Sequence, residues 1–225
     1  MDYNFLADTV LFHGASPEEI KSMLGCLGAV EKTAAKGEVL FRAGSPAKYM
    51  AMVLSGSVQI ENDDVWGNKS VLDSIGPGEV FAETYACVPD EPLQVSAVAV
   101  EKSALLLMDA ARLLRTCPQA CAHHVTLIRN LLVVSAQKNL SLSRRIFHTS
   151  AKTIRGRLLS YLSYQAVRSG GNYFDIPFNR QQLADYLSVD RSAMSAELSK
   201  MRKDGLLECS RSRFHLNTGS GELGY

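Results

Sequence analysis

The chain has 225 residues, 46% of them hydrophobic, which is enough to bury an ordinary core in one large or two small folded units, and two are expected. No apolar run approaches the roughly eighteen residues of a membrane span, and Met1-Asp2-Tyr3-Asn4 lacks the basic start of a secretory signal, so a cytoplasmic protein without a membrane partner is expected. The net charge of +1 conceals a division: residues 1–147 hold 13 Lys and Arg against 16 Asp and Glu, and residues 148–225 hold 11 against 7. A small basic unit joined to a larger acidic one suits a nucleic-acid binder joined to something else.

Ser16-Pro17-Glu18-Glu19 opens a short helix, with Ser16 as N-cap and Pro17 at the first helical position, where its missing N–H costs nothing. From Lys36 to Met108 the chain runs in short apolar or alternating stretches. Residues 39–41, 49–54, 57–60, 70–72, 95–100 and 104–108 read as strands, separated by turn chemistry such as Gly44-Ser45-Pro46, Ser55-Gly56 and Gly76-Pro77-Gly78. So many short strands imply an antiparallel barrel or jelly roll rather than an α/β sheet.

Between about Pro118 and Phe147 there is no glycine or proline, and Cys121, Val125, Ile128, Leu132, Ser135, Asn139, Leu142 and Ile146 recur at alternating steps of four and three. That is a heptad seam on a helix about 45 Å long. One small barrel cannot cover such a helix, so a partner copy is the economical reading, with the polar Ser135 and Asn139 setting register. A further helix is expected from Ala151 to Arg168, with Ser150 as N-cap and Gly170-Gly171 as stop. Tyr173 to Ile176 reads as a short strand.

Asn179 followed by Gln182 is a capping-box start, and Leu183, Ala184 and Leu187 give the helix an apolar face. Ser188-Val189-Asp190 forms a short turn, Asp190 caps a second helix running to about Asp204, and Met194, Leu198 and Met201 point inward. This leaves Arg191, Ser192, Ser195 and Ser199 outward, where a recognition helix presents groups to base edges and phosphates. Arg191 is the foremost candidate, able to pair bidentately with guanine or to grip a phosphate. Residues 208–216 read as a β-hairpin wing whose Arg211 and Arg213 would meet the DNA backbone, and Arg180, at the start of the first helix, joins the expected contact set. The fold class is therefore α+β: an N-terminal antiparallel jelly-roll barrel, a long dimerisation helix, and a C-terminal winged helix-turn-helix. The domains are placed at 1–147 and 148–225.

This order and the local sequences resemble the CRP/FNR family of bacterial transcriptional regulators over nearly the whole chain. The likeness is carried by Leu40-Phe41-Arg42-Ala43-Gly44-Ser45, Val53-Leu54-Ser55-Gly56-Ser57-Val58 and Ile75-Gly76-Pro77-Gly78-Glu79-Val80-Phe81 in the barrel. Leu183-Ala184-Asp185-Tyr186-Leu187 through Arg191, and Asp204-Gly205-Leu206-Leu207, carry it in the second unit. The resemblance implies a homodimer on double-stranded DNA, with half-sites about one helical turn apart, under control of a small-molecule effector. RNA polymerase is the further partner if the protein activates.

Cyclic-nucleotide-binding members pair a Gly-Glu-Leu turn with an Arg-Ser-Ala strand. Here Ala82 stands at the glycine, Glu83 survives, and Val95 replaces the phosphate-binding arginine. Burying a phosphate without a cation is costly, so the effector is unidentified and not expected to be cAMP. Its pocket, between barrel and long helix as the resemblance implies, would be lined by Glu83, Thr84, Tyr85, Val95, Ser96, Ile128 and Arg129. The family's common glutamate and second arginine on the recognition helix are replaced by Ser192 and Ala196, so a different DNA site is expected.

Five cysteines without a CxxC pair argue against a disulfide framework or zinc site, and Cys26 alone cannot build an N-terminal iron-sulfur cluster. Haem is not expected either, with His123 and His124 read as surface or seam-flanking residues. None of the five histidines lies between Gly14 and Ala122, so the barrel lacks the ligands of a metal-dependent jelly-roll enzyme. No nucleophile elbow, P-loop or dinucleotide fingerprint occurs, and no enzymatic activity is expected. The alternative is a protein-interaction module on the same fold that binds no DNA.

Overall fold

The computed structural model describes residues 1–63, 69–88, 90–114 and 122–217. It divides into two compact units, Met1–Gln137 and Lys138–Tyr225. The first holds α1 (Tyr3–Ala7), α2 (Pro17–Cys26), β1 (Val30–Ala34), β2 (Val39–Phe41), β3 (Tyr49–Ser55), β4 (Val58–Asp63), β5 (Lys69–Ile75), β6 (Val80–Phe81), α3 (Glu83–Cys87), β7 (Ser96–Ala99), β8 (Ser103–Asp109) and α4 (Ala110–Leu114). The helix α5 (Ala122–Thr149) runs through the boundary. The second unit continues with α6 (Ile154–Ser169), β9 (Tyr173–Asp175), α7 (Arg180–Leu187), α8 (Arg191–Lys203), β10 (Leu207–Ser210) and β11 (Arg213–Leu216).

The expected jelly roll is present as two four-stranded antiparallel sheets, in the orders β1-β8-β3-β6 and β2-β7-β4-β5. Side chains of a strand alternate between faces, and β3 and β8 use both. Ala51, Val53 and Leu105 meet Val58, Ile75, Ala97 and Ala99 of the other sheet in a shared core. Met50, Met52, Leu106 and Met108 turn the opposite way, onto α1, α2 and the Leu127 and Leu131 side chains of α5. Gly56 allows the β3–β4 turn to close: its φ is +84°, and a Cβ there would lie 2.7 Å from the Lys102 carbonyl oxygen.

The α2 start is as the residues imply, with the Ser16 side chain accepting from Glu19 N and the Glu19 carboxylate accepting from Ser16 N at 2.7 Å. Strand β1 is an addition. Its Val-Glu-Lys-Thr-Ala sequence has no apolar alternation, and it is a strand because five residues pair in register with β8.

In the second unit α6 begins later than expected. Thr153, not Ser150, is its N-cap, accepting from Gly156 N at 3.0 Å, while the Ser150 hydroxyl donates back to Phe147 O. Gly170 ends α6 at φ +70°, the left-handed stop glycine permits. Leu158, Tyr161 and Leu162 of α6 form one core with Leu183, Leu187, Met194, Leu198 and Met201. A three-stranded sheet, ordered β10-β11-β9, closes this core with Leu207, Phe214 and Phe174. The wing hairpin has thus recruited β9 as a third antiparallel strand.

Candidate nucleic-acid interface and effector region

The helical pair α7–α8 is built by its caps. Asn179 accepts from Gln182 N at 3.0 Å and Gln182 Oε1 accepts from Asn179 N at 2.9 Å, so α7 starts on a reciprocal box. Ser188 takes the left-handed conformation that ends it, and Asp190 then accepts from Ala193 N at 2.7 Å to start α8. Met194, Leu198 and Met201 are buried as expected. Arg191, Ser192 and Ser199 are exposed and Ser195 is half-buried, so all four stand on the outward side of α8.

Two of those serines are already engaged. Ser195 donates to Arg191 O at 2.8 Å and Ser199 donates to Ser195 O at 3.0 Å. Each hydroxyl spends its hydrogen on the backbone and turns lone pairs outward, which suits an amino group of adenine or cytosine better than a base carbonyl.

The arginines divide differently from expectation. Arg191 and Arg211 line a cleft of about 780 Å³ beside the start of α7, together with Asn179, Gln181 and Ser212. Arg180 borders the same cleft, but its guanidinium lies 5.1 Å over the Phe214 ring and donates to Cys209 Sγ at 3.2 Å. Instead of reaching into solvent, it braces α7 against the wing. Arg213 is exposed and pairs loosely with Asp175 at 3.5 Å, a solvent-screened contact of little energetic weight.

A second groove, about 690 Å³, runs between α8 and the wing and adds residues that the sequence did not single out: Arg202, Lys203, Tyr173 and His215. Tyr173 and His215 are direct partners in the β9–β11 register, and their rings stack at 3.7 Å. Alternation in β9 was the available signal, since Phe174 points inward and its neighbours outward. Arg202 and Lys203 stand in the last turn of α8, where cations also complement the helix dipole, so their residue type alone does not mark a DNA contact. Arg155 anchors α8 to α6, donating to Glu197 Oε1 at 2.6 Å and approaching Asp204 Oδ2 at 2.7 Å, and these two carboxylates hold its pKa above the ordinary value.

In the first unit, Glu83 opens α3 and is buried, Thr84 is exposed and Tyr85 half-buried. Ala82 before them sits at φ 60°, a left-handed conformation in which an alanine carries strain a glycine would not. Burial, and next the Glu83 charge one turn away, push the Cys87 thiol up, so it stays protonated. Val95 is half-buried just ahead of β7, and Ser96, which opens that strand, accepts from Ala43 N at 3.1 Å.

Along α5 two apolar stripes occupy different faces. Leu127, Leu131 and Val134 are buried, whereas Val125, Ile128, Leu132, Leu142 and Ile146 are between 42% and 69% exposed. The exposed set is the heptad seam, and Ser135 and Asn139 are exposed with it. Ile128 and Arg129, named also as pocket residues, both face outward. Cys121 and the His123 side chain lie outside the described residues. Among the described residues, no group of three His, Cys, Asp or Glu could hold a metal, and no helix is long and apolar enough to cross a membrane.

Comparison with known proteins matches residues 31–119 to the cyclic nucleotide-binding domain and residues 156–217 to the Crp-like helix-turn-helix domain. The chain is 27% identical over 201 residues to the cyclic AMP receptor protein of Thermus thermophilus, covering 88% of this chain and 87% of that one. Among solved structures it resembles CprK complexed with OCPA (TM-score 0.66, 13% identity, 89% of this chain and 92% of the other). It also resembles the c-di-GMP responsive global regulator CLP of Xanthomonas campestris (TM-score 0.56, 20% identity, 91% and 100%). With a sensor-type double sheet, a long connecting helix and a Crp-like helix-turn-helix in that order, the chain belongs to the CRP/FNR family of DNA-binding transcription regulators.

Proposed function

We propose that two copies of this chain associate along α5 and bind an inverted-repeat promoter site, with half-sites about one helical turn apart, under control of a small effector other than cAMP. The observation that carries this reading is the exposed stripe Val125, Ile128, Leu132, Leu142 and Ile146, apolar and uncovered in the protomer, on the helix that joins sensor and reader. In this scheme residues 1–147 sense and residues 148–225 read. Arg191, Ser192, Ser195 and Ser199 face base edges, and Arg211, Arg213, Arg202 and Lys203 meet phosphates. Arg180, braced on Phe214 and Cys209, would support them by holding α7 against the wing. RNA polymerase is a further partner if the protein activates.

The region of Glu83, Thr84, Tyr85, Val95 and Ser96 fits a cyclic phosphate poorly. Val95 offers neither charge nor donor, and the Ser96 hydroxyl already accepts from Ala43 N. The names of the similar proteins pair this fold with cyclic AMP, c-di-GMP and OCPA, so the fold does not choose the ligand. Ile128 and Arg129 face outward on α5, so they would complete such a pocket only where the two helices pair.

The test is gel retardation of a duplex that the purified protein selects from a randomised library, repeated over a salt series. Phosphate neutralisation imposes a steep linear fall of log affinity with log salt, and footprinting should return two symmetry-related half-sites. Retardation absent at every salt concentration would favour the protein-interaction module instead.

A further inference from the structure

At its C-terminal end α5 grips the helix-turn-helix by its backbone. Arg145 Nε donates to the Tyr186 carbonyl at 3.1 Å and Nη2 to the Asp185 carbonyl at 3.0 Å, with the guanidinium 5.9 Å over the Tyr186 ring. These carbonyls lie in the last turn of α7, where intrahelical partners run out and the negative end of the helix dipole favours a cation. Arg157 of α6 caps the next two carbonyls, Leu187 at 3.0 Å and Ser188 at 2.9 Å. One turn beyond Arg145, His148 is buried against Tyr161, Tyr164 and Tyr186, its Nδ1 3.0 Å from Ser160 Oγ. The seam residues Leu142 and Ile146 belong to the same two turns and are 62% and 68% exposed. One short piece of helix therefore presents a dimer seam on one side and holds α7 on another.

We infer that Arg145 is a positioning residue for DNA recognition: by fixing the end of α7, and through the turn Ser188-Val189-Asp190 the start of α8, it converts the register of the α5 seam into the spacing of the two half-sites. The inference rests on the dimeric reading above and adds the group that makes seam and reader move as one piece. A guanidinium suits this task because two donors in a rigid plane meet two successive carbonyls, whereas a lysine offers a single flexible point charge.

The test uses full-length protein with Arg145→Ala, Arg145→Lys and Arg157→Ala. Affinity is measured for a duplex bearing one half-site and for inverted repeats whose spacer is lengthened or shortened by one and two base pairs, the half-site coming from library selection with the unsubstituted protein. Arg145→Ala should flatten the preference for the selected spacing by about tenfold, as expected for losing charge-assisted bonds, while single half-site affinity stays within about twofold. Arg145→Lys should fall between. Arg157→Ala loosens the same turn from within the reader and should leave the spacing profile intact.

An unchanged profile for Arg145→Ala, equal losses on single and paired half-sites, or the same flattening by Arg157→Ala would overturn the assignment. If the alanine variant does not fold, the lysine variant decides by the same criteria. An unsubstituted protein that is monomeric on DNA or indifferent to spacing would refute the dimeric reading itself, and it would do so before any substitution is made.

Discussion

Replacing Leu132 by alanine separates the two faces of α5. Leu132 is 68% exposed, while its neighbour Leu131, 7% exposed, packs in a core with Leu6, Met23 and Leu106. Fully burying a leucine side chain is worth roughly 1.5–3 kcal/mol, so the exposed part of Leu132 stands to gain about 1–2 kcal/mol per copy in a seam, or about 2–4 kcal/mol per dimer. Leu132→Ala should accordingly raise the dimer dissociation constant by about thirty- to several-hundred-fold, with the protomer's own unfolding free energy changed by less than about 0.5 kcal/mol. Leu131→Ala should do the reverse, costing about 2–5 kcal/mol of protomer stability through the cavity it leaves and shifting association far less. Sedimentation velocity over a concentration series reads the first quantity and chemical unfolding at low protein concentration reads the second. Unchanged association of Leu132→Ala, or dissociation of a still-folded Leu131→Ala as complete as that of Leu132→Ala, would refute the division of faces.

Arg191→Ala should cost about 1–3 kcal/mol on the selected DNA site and little on random duplex, read by competition retardation; retained sequence preference would count against its role. His148 is held below the ordinary histidine pKa of 6.5, first by burial and then by the Arg144 charge. The unfolded chain therefore takes up the proton more readily than the folded one, so stability is complete above pH 6.5 and declines as pH falls through that value. Denaturant midpoints over a pH series should show this decline, and His148→Gln should reduce it. A ligand at a hundred times its dissociation constant adds about 2.7 kcal/mol of stability, so millimolar cAMP should leave the melting temperature unmoved. A rise of several degrees would mean that the Val95 argument is wrong.

What was legible in the residues was local. The caps Ser16, Asn179 and Asp190 bond within three positions, and the seam repeats every seven, so the starts of α2, α7 and α8 and the exposed stripe of α5 follow from short windows. Thr149-Ser150-Ala151-Lys152-Thr153 offers several cap candidates, and the packing of Leu158, Tyr161 and Leu162 selects Thr153 over Ser150. Strand β1 exists through its pairing with β8, more than sixty positions away. The inward turn of Arg180 depends on Phe214 and Cys209, and the hold of Arg145 on α7 spans forty positions. Neither partner is implied by anything near the arginine in the chain. The effector region was legible only as a pattern of replacements, because Val95 and Ala82 report which groups are missing and not what takes their place.

The buried stripe of α5 has a consequence for how the regulator is made. Leu127 and Leu131 find their partners inside the protomer, so that face asks nothing of a second copy, and under the proposed dimer pairing joins protomers that already hold a core. Below the dissociation constant of that dimer, the paired form grows as the square of chain concentration. Under the proposed dimer, a twofold change in expression would alter promoter occupancy about fourfold before any effector intervenes, and the cell's supply of the protein would itself act as a signal.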